Sequence, residues 1–146
     1  NYGWLLCHHN RMPEALQLFG KALASPTYGE RAKTWMAQGL CQMQAGQKTE
    51  AETSLLRSYE LDAGNPVTGY NLALLLFQRG DFTRSQFYAR RINNSKYANA
   101  ESLWLGIRIE RKVGNSDAMA QLGVQLKKRF AGSPELALYE RGAFDE

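Results

Sequence analysis

Residues 66–99 read PVTGYNLALLLFQRGDFTRSQFYARRINNSKYAN, a helix, a tight turn and a second helix whose pattern the flanking segments repeat. Asn65 is placed to N-cap a helix that starts at Pro66, a residue tolerated there because its missing N–H would be unpaired anyway. Leu72, Ala73 and Leu76 form one apolar face at helical spacing, and Gly80-Asp81-Phe82 ends the helix. A second helix is expected over about Thr83–Ile92. Gly46 stands 34 residues before Gly80 and Gly114 stands 34 after it, each closing a similar helical pattern. Recurrence at that period predicts a solenoid of helix hairpins, because one hairpin cannot bury its apolar faces alone.

The recurrence extends to packing positions. Gly3, Gly39 and Ala73 stand seven residues ahead of Asn10, Gly46 and Gly80, while Gly106 fits Gly114 after a one-residue slip. Small residues there let two helices cross closely. Five residues past the turns come Ala15, Ala51 and Ser85, and four further come Phe19, Leu55 and Ala89. Met119 takes the corresponding small-residue place in the last unit. This combination resembles the tetratricopeptide repeat, with a small residue at its eighth position, Gly at its fifteenth and Ala at its twentieth.

The expected fold is therefore all-α, a tetratricopeptide-repeat superhelix of antiparallel helix hairpins with a C-terminal capping helix. One solenoid would cover residues 1–146, with repeats at about 1–29, 32–65, 66–99 and 100–132. Ser133-Pro134-Glu135 reads as an N-cap, a first-turn proline and an acidic first turn, so the capping helix is expected over about 134–141. Leu136 and Tyr139 would pack inward, and Glu135, Glu140 and Arg141 would keep the outer face polar. Asn1 is not Met, and Tyr2-Gly3-Trp4-Leu5-Leu6-Cys7 reads as the middle of a packed helix. The stretch is expected to be the later part of a longer chain. Trp4-Leu5-Leu6-Cys7 is a poor lipoprotein cleavage site, since Leu6 is too large and no basic segment precedes it.

At 44% hydrophobic and 22% charged, 146 residues suit one folded domain. The net charge of +4 does not by itself point to nucleic acid: Arg90-Arg91 and Lys127-Lys128-Arg129 fall near expected helix C-termini, where cations complement unpaired carbonyls. No aromatic and basic interleaving of the single-strand-binding kind appears, and no nucleic-acid partner is expected. Cys7 and Cys41 occupy different repeat positions, which favours free thiols. His8 and His9 are adjacent on one helix and point about 100° apart, so they cannot act on one atom, and Cys7-His8-His9 lacks metal-ligand spacing. No phosphate-binding loop or nucleophile elbow is present. The expectation is no enzyme, no cofactor and no metal.

The opening helices of such repeats line a concave groove, and here the lining is apolar. Trp4, Leu40 and Leu74 take the ninth positions, Cys7, Met43 and Phe77 the twelfth, and Met36 and Tyr70 the fifth. The candidate partner-binding groove is thus Trp4, Met36, Leu40, Met43, Tyr70, Leu74 and Phe77. Flexible Met beside rigid aromatics suits an apolar strand or helix of a protein partner. The alternative is internal filling, by tight curvature or by the C-terminal helix folding back. A clamp for a peptide carboxylate is not expected: Asn71 is suitably placed, but Leu40 and Leu74 stand where Asn is wanted, and Met36 and Tyr70 replace a basic residue.

Asn1-Tyr2-Gly3-Trp4-Leu5-Leu6-Cys7, Leu103-Trp104-Leu105-Gly106-Ile107-Arg108-Ile109 and Gln125-Leu126-Lys127-Lys128-Arg129-Phe130 give a closer resemblance. They are similar to stretches of the type IV pilus biogenesis and stability proteins, the pilotins of the type IV pilus secretin. The resemblance implies a lipoprotein at the periplasmic face of the bacterial outer membrane, tethered only by a lipid anchor absent from this chain. It implies binding of secretin subunits and promotion of their assembly. Arg108 and Arg111 are expected near the groove's end, orienting an acidic flank of the partner. The competing expectation is a generic repeat adaptor of another envelope or cytoplasmic complex.

Overall fold

The glycines spaced by 34 residues adopt the same backbone state: Gly46, Gly80 and Gly114 have φ of 79°, 88° and 81°. A left-handed residue stops a helix and costs an L side chain strain that glycine escapes. The computed structural model describes residues 28–144. Within that range lie α1 (Tyr28–Gln44), α2 (Lys48–Leu61), α3 (Pro66–Arg79), α4 (Phe82–Asn93), α5 (Ala100–Val113), α6 (Ser116–Arg129) and α7 (Pro134–Arg141). No strand occurs among the described residues. The expected first hairpin, with Gly3, Trp4, Cys7, His8, His9, Ala15 and Phe19, lies outside them.

Helix starts follow the capping chemistry of the sequence. Asn65 Oδ1 accepts from the Val67 N–H at 2.9 Å, just ahead of α3. Asp81, Asn115 and Ser133 accept in the same way at α4, α6 and α7. At α5 Asn99 and Ser102 form a reciprocal capping box, with bonds of 2.7 and 2.8 Å.

By contact density the chain divides into two compact units, Asn1–Leu72 and Ala73–Glu146, with the boundary inside α3. In the first, α1 packs on α2 where Gly39 meets Leu55. A Cβ at Gly39 would lie 2.7 Å from Leu55 Cγ and 3.3 Å from the Ala51 carbonyl oxygen, so only glycine permits this crossing. Leu55 is fully buried and has no solvent to swing into. Gly39→Ala is expected to cost about 1–3 kcal/mol, through overpacking. A urea midpoint unchanged within error would show that α1 and α2 separate freely.

Buried hydroxyls stitch the same hairpin. Ser58 Oγ donates to the Ala32 carbonyl at 2.7 Å, and Ser54 Oγ donates to Gln42 Oε1 at 2.6 Å. Pairing of this kind offsets the cost of burying polar groups. Cys41 is fully buried and disulfide-bonded, which overturns the expectation of free thiols; the other cysteine, Cys7, lies outside the described residues. Equal repeat positions are not needed for a disulfide, which asks only that the two Cα atoms come within about 7 Å.

In the second unit α5 is the central helix, packed by α4, α6 and α7. Ser85 Oγ donates to the Ala73 carbonyl at 2.7 Å, and Asn93 Nδ2 to the Ser102 carbonyl at 2.9 Å. A Cβ on Gly106 would come within 2.6 Å of that Nδ2 and 3.1 Å of Leu122 Cδ1, so the slipped glycine does mark a close crossing. Met119 is half-buried against the cluster of Leu103, Trp104, Ile107, Leu126 and Leu136; the large residue is accommodated as packing. A Cβ on Gly123 would collide with the Tyr139 ring, which seats α7 on α6. Leu136 is buried and Tyr139 half-buried, as its helical spacing requires.

Candidate partner-binding surface

The stripe on α1 follows from helical periodicity: Met36, Leu40 and Met43 recur at i, i+4 and i+7 and are half-buried, while Gly39, Cys41 and Gln42 are buried. Tyr70, Leu74 and Phe77 recur at the same spacing on α3 and are also half-buried, beside buried Leu72, Ala73, Leu75 and Leu76. Every described member therefore keeps accessible surface without lying fully open. Trp4 lies outside the described residues. In the first unit Asn65 Nδ2 approaches the Met36 sulfur at 3.4 Å, a weak contact at the end of the α1 stripe. In the second, Phe77 leans on Phe82 with ring centroids 5.6 Å apart, and the Arg108 guanidinium lies 4.9 Å from its ring centroid.

Arg108 and Arg111 engage a residue that the sequence reading missed. Arg108 Nε donates to the Phe144 carbonyl at 2.9 Å, and the Arg111 guanidinium lies 4.9 Å from the Phe144 ring centroid. That ring stacks on Trp104 at 5.7 Å and 24°, with Tyr139 edge-on at 6.3 Å. The chain is turned back by Gly142, at φ 71°, whose N–H bonds to the Tyr139 carbonyl at 3.1 Å while the Ala143 N–H bonds to Leu138 at 2.9 Å. This is a Schellman end, which brings the residues beyond a helix back toward its last turn. A glycine after the last helical residue, with an aromatic two places on, was the available signal.

Glu110 is the other unforeseen group. It is 2% exposed and accepts from Arg90 Nε at 2.8 Å, from Arg90 Nη2 at 3.1 Å and from Gln86 Nε2 at 2.8 Å. The hydrogen bond to Glu110 raises the Arg90 pKa, against partial burial. Arg90 was expected to serve the carbonyls at the end of α4; its side chain instead holds a carboxylate on α5. An open cavity of about 370 Å³ adjoins the pair, lined also by Asn93, Gly106, Leu122 and Gln125. Among the described residues no group of three or more His, Cys, Asp or Glu is placed to hold a metal ion.

Helices paired through left-handed glycines 34 residues apart, crossing at small residues, make this a tetratricopeptide-repeat protein. No protein-family model matches the chain. It is 30% identical over 135 residues to the type IV pilus assembly protein PilF of Pseudomonas aeruginosa, covering 92% of this chain and 54% of that one. The solved structure of P. aeruginosa PilF matches with a TM-score of 0.83 at 28% identity, over 97% of this chain and 64% of that one. PilW, a widely conserved type IV pilus biogenesis factor, matches with a TM-score of 0.81 at 32% identity, over 95% and 64%. YrrB, a repeat protein with an unusual peptide-binding site, shares the fold alone: TM-score 0.80 at 16% identity, over 100% and 77%. The chain is thus a tetratricopeptide-repeat relative of the type IV pilus biogenesis proteins. It spans about half the length of the curated relative it matches.

Proposed function

We propose that the chain is a non-catalytic part of a pilotin-like factor, which binds secretin subunits and promotes outer-membrane secretin assembly in type IV pilus biogenesis. The observation that carries this reading is the relation to PilF and PilW, at 30% and 32% identity. Secretin subunits in transit expose strand edges and amphipathic segments that aggregate until paired. Met36, Leu40, Met43 and Tyr70 in the first unit, and Leu74 and Phe77 in the second, offer half-buried apolar surface to shield such segments. Trp4 completes the expected set. The longer protein would act at the periplasmic face of the outer membrane, an oxidising compartment in which a disulfide at Cys41 can persist.

The test is a pull-down of solubilised envelope proteins with the longer natural protein, repeated with Leu40→Ser, Phe77→Ser and the double variant. Each variant is first checked for native helicity. The wild type should recover the secretin, and the folded double variant should lose it by at least about tenfold, the weight of 1.4 kcal/mol. Undiminished capture by the folded double variant removes these residues from the site. Capture of no secretin at all by the wild type removes the pilotin reading and leaves a protein-binding repeat scaffold.

A further inference from the structure

Phe144 is held as a ligand is held. Its ring stacks on Trp104 and has the Arg111 guanidinium over it, and Arg108 Nε donates to its backbone carbonyl. It follows the last helix on a single Schellman turn and remains half-buried. Few bonds in the chain need change for it to leave, whereas Trp104 and Arg108 are anchored on α5, the most enclosed helix of the unit. Arg108 also packs on Phe77, so the place that Phe144 fills adjoins a residue of the expected binding surface.

We propose that Trp104, Arg108 and Arg111 form a slot for a phenylalanine flanked by a carboxylate, and that Phe144 fills it as a resident pseudo-ligand until a protein segment of that chemistry displaces it. This rests on the protein-binding reading above and adds the chemistry of the segment bound. The aromatic preference comes from the stack on Trp104 and from the Arg111 guanidinium over the ring, which favour the face of a π-system over an aliphatic side chain. The acidic preference comes from charge. Residues 73–146 carry 12 Lys and Arg against 8 Asp and Glu, whereas residues 1–72 carry 6 of each, so the chain's net +4 belongs to the part that holds the slot. The resident segment has the same chemistry, since Phe144 is followed in sequence by Asp145 and Glu146.

Self-occupancy lowers apparent affinity by the fraction of molecules with an open slot, so a slot filled nine times in ten weakens a competitor about tenfold. The probe is the peptide N-acetyl-Ala-Phe-Asp-amide, titrated into the full chain and read at the indole N–H resonance of Trp104, assigned with Trp104→Phe. N-acetyl-Ala-Leu-Asp-amide and N-acetyl-Ala-Phe-Lys-amide are the comparators. Phe144→Ala should bind the Phe-Asp peptide about tenfold more tightly than the wild type, and both comparators at least about fivefold more weakly. Adding Arg108→Gln should return the affinity to the wild-type level or below. Phe144→Leu, which keeps bulk without the π-face, serves if the alanine variant loses helicity, and should bind more tightly than the wild type by a smaller factor. Equal affinity in the wild type and the folded Phe144 variants, absence of saturable binding in those variants, or indifference to Leu and Lys would overturn the slot. Secretin capture in the pull-down above does not depend on this titration. A failed slot with retained capture leaves the scaffold reading intact, and a working slot without secretin capture removes only the pilotin reading.

Discussion

Ile107→Ala is expected to destabilise the second unit by about 3–4 kcal/mol, the range for a large core aliphatic cut to a methyl group. Ile107 is fully buried among Leu103, Trp104, Leu126 and Leu136. Those neighbours come from α5, α6 and α7, so no single helix can move in to fill the void without leaving another contact. Residual cavity cost therefore adds to the lost transfer energy. A domain's whole stability is only about 5–15 kcal/mol, so the urea midpoint should fall visibly. Contacts in repeat arrays run between neighbours, and the damage should be local. Amide exchange should accelerate more in α5–α7 than in α1 and α2. A loss below about 2 kcal/mol, the low end for a large buried aliphatic cut to alanine, would show that the cluster is less tightly enclosed than its burial indicates.

Arg90→Leu is expected to cost about 2–3 kcal/mol, chiefly by stranding the Glu110 carboxylate. The Arg90 side chain is 47% exposed and that of Glu110 is 2% exposed, so the two halves of the pair are unequal. Solvent weakens the attraction at the arginine, and the lost attraction alone is small. The buried carboxylate, left with Gln86 alone, bears most of the penalty. Removing both charges, as Arg90→Leu with Glu110→Leu, should recover much of the loss, and the double-mutant cycle should return a coupling of about 1 kcal/mol or more. Additive single effects would mean that solvent reaches Glu110 once Arg90 is gone.

Much of the architecture is legible in the sequence because its determinants are local. Gly46, Gly80 and Gly114 read as helix stops, and Asn65 and Ser133 read as caps, each from chemistry within four residues. The close crossings were legible too: Gly39, Ala51, Leu55, Ser85 and Ala89 recur at one period, and all are buried. The candidate surface was legible only as a stripe. Helical spacing puts Met36, Leu40 and Met43 on one side of α1, and half-burial is a property of what packs nearby.

The helices, their stops and the small-residue crossings follow from the order of amino acids alone, because a 34-residue period records contacts that every hairpin must repeat. The exceptions take their roles from the packed chain. Arg90 sits on one helix and Glu110 on the next, 20 residues apart, and their pairing belongs to no repeated position. The docking of Phe144 on Trp104 is likewise made once: Gly142 turns the chain as Gly46, Gly80 and Gly114 do, but it stands off their 34-residue period, and what the ring meets is set by the helices around it. Periodic positions are read from their copies, whereas a contact made once needs the geometry that brings its partners together.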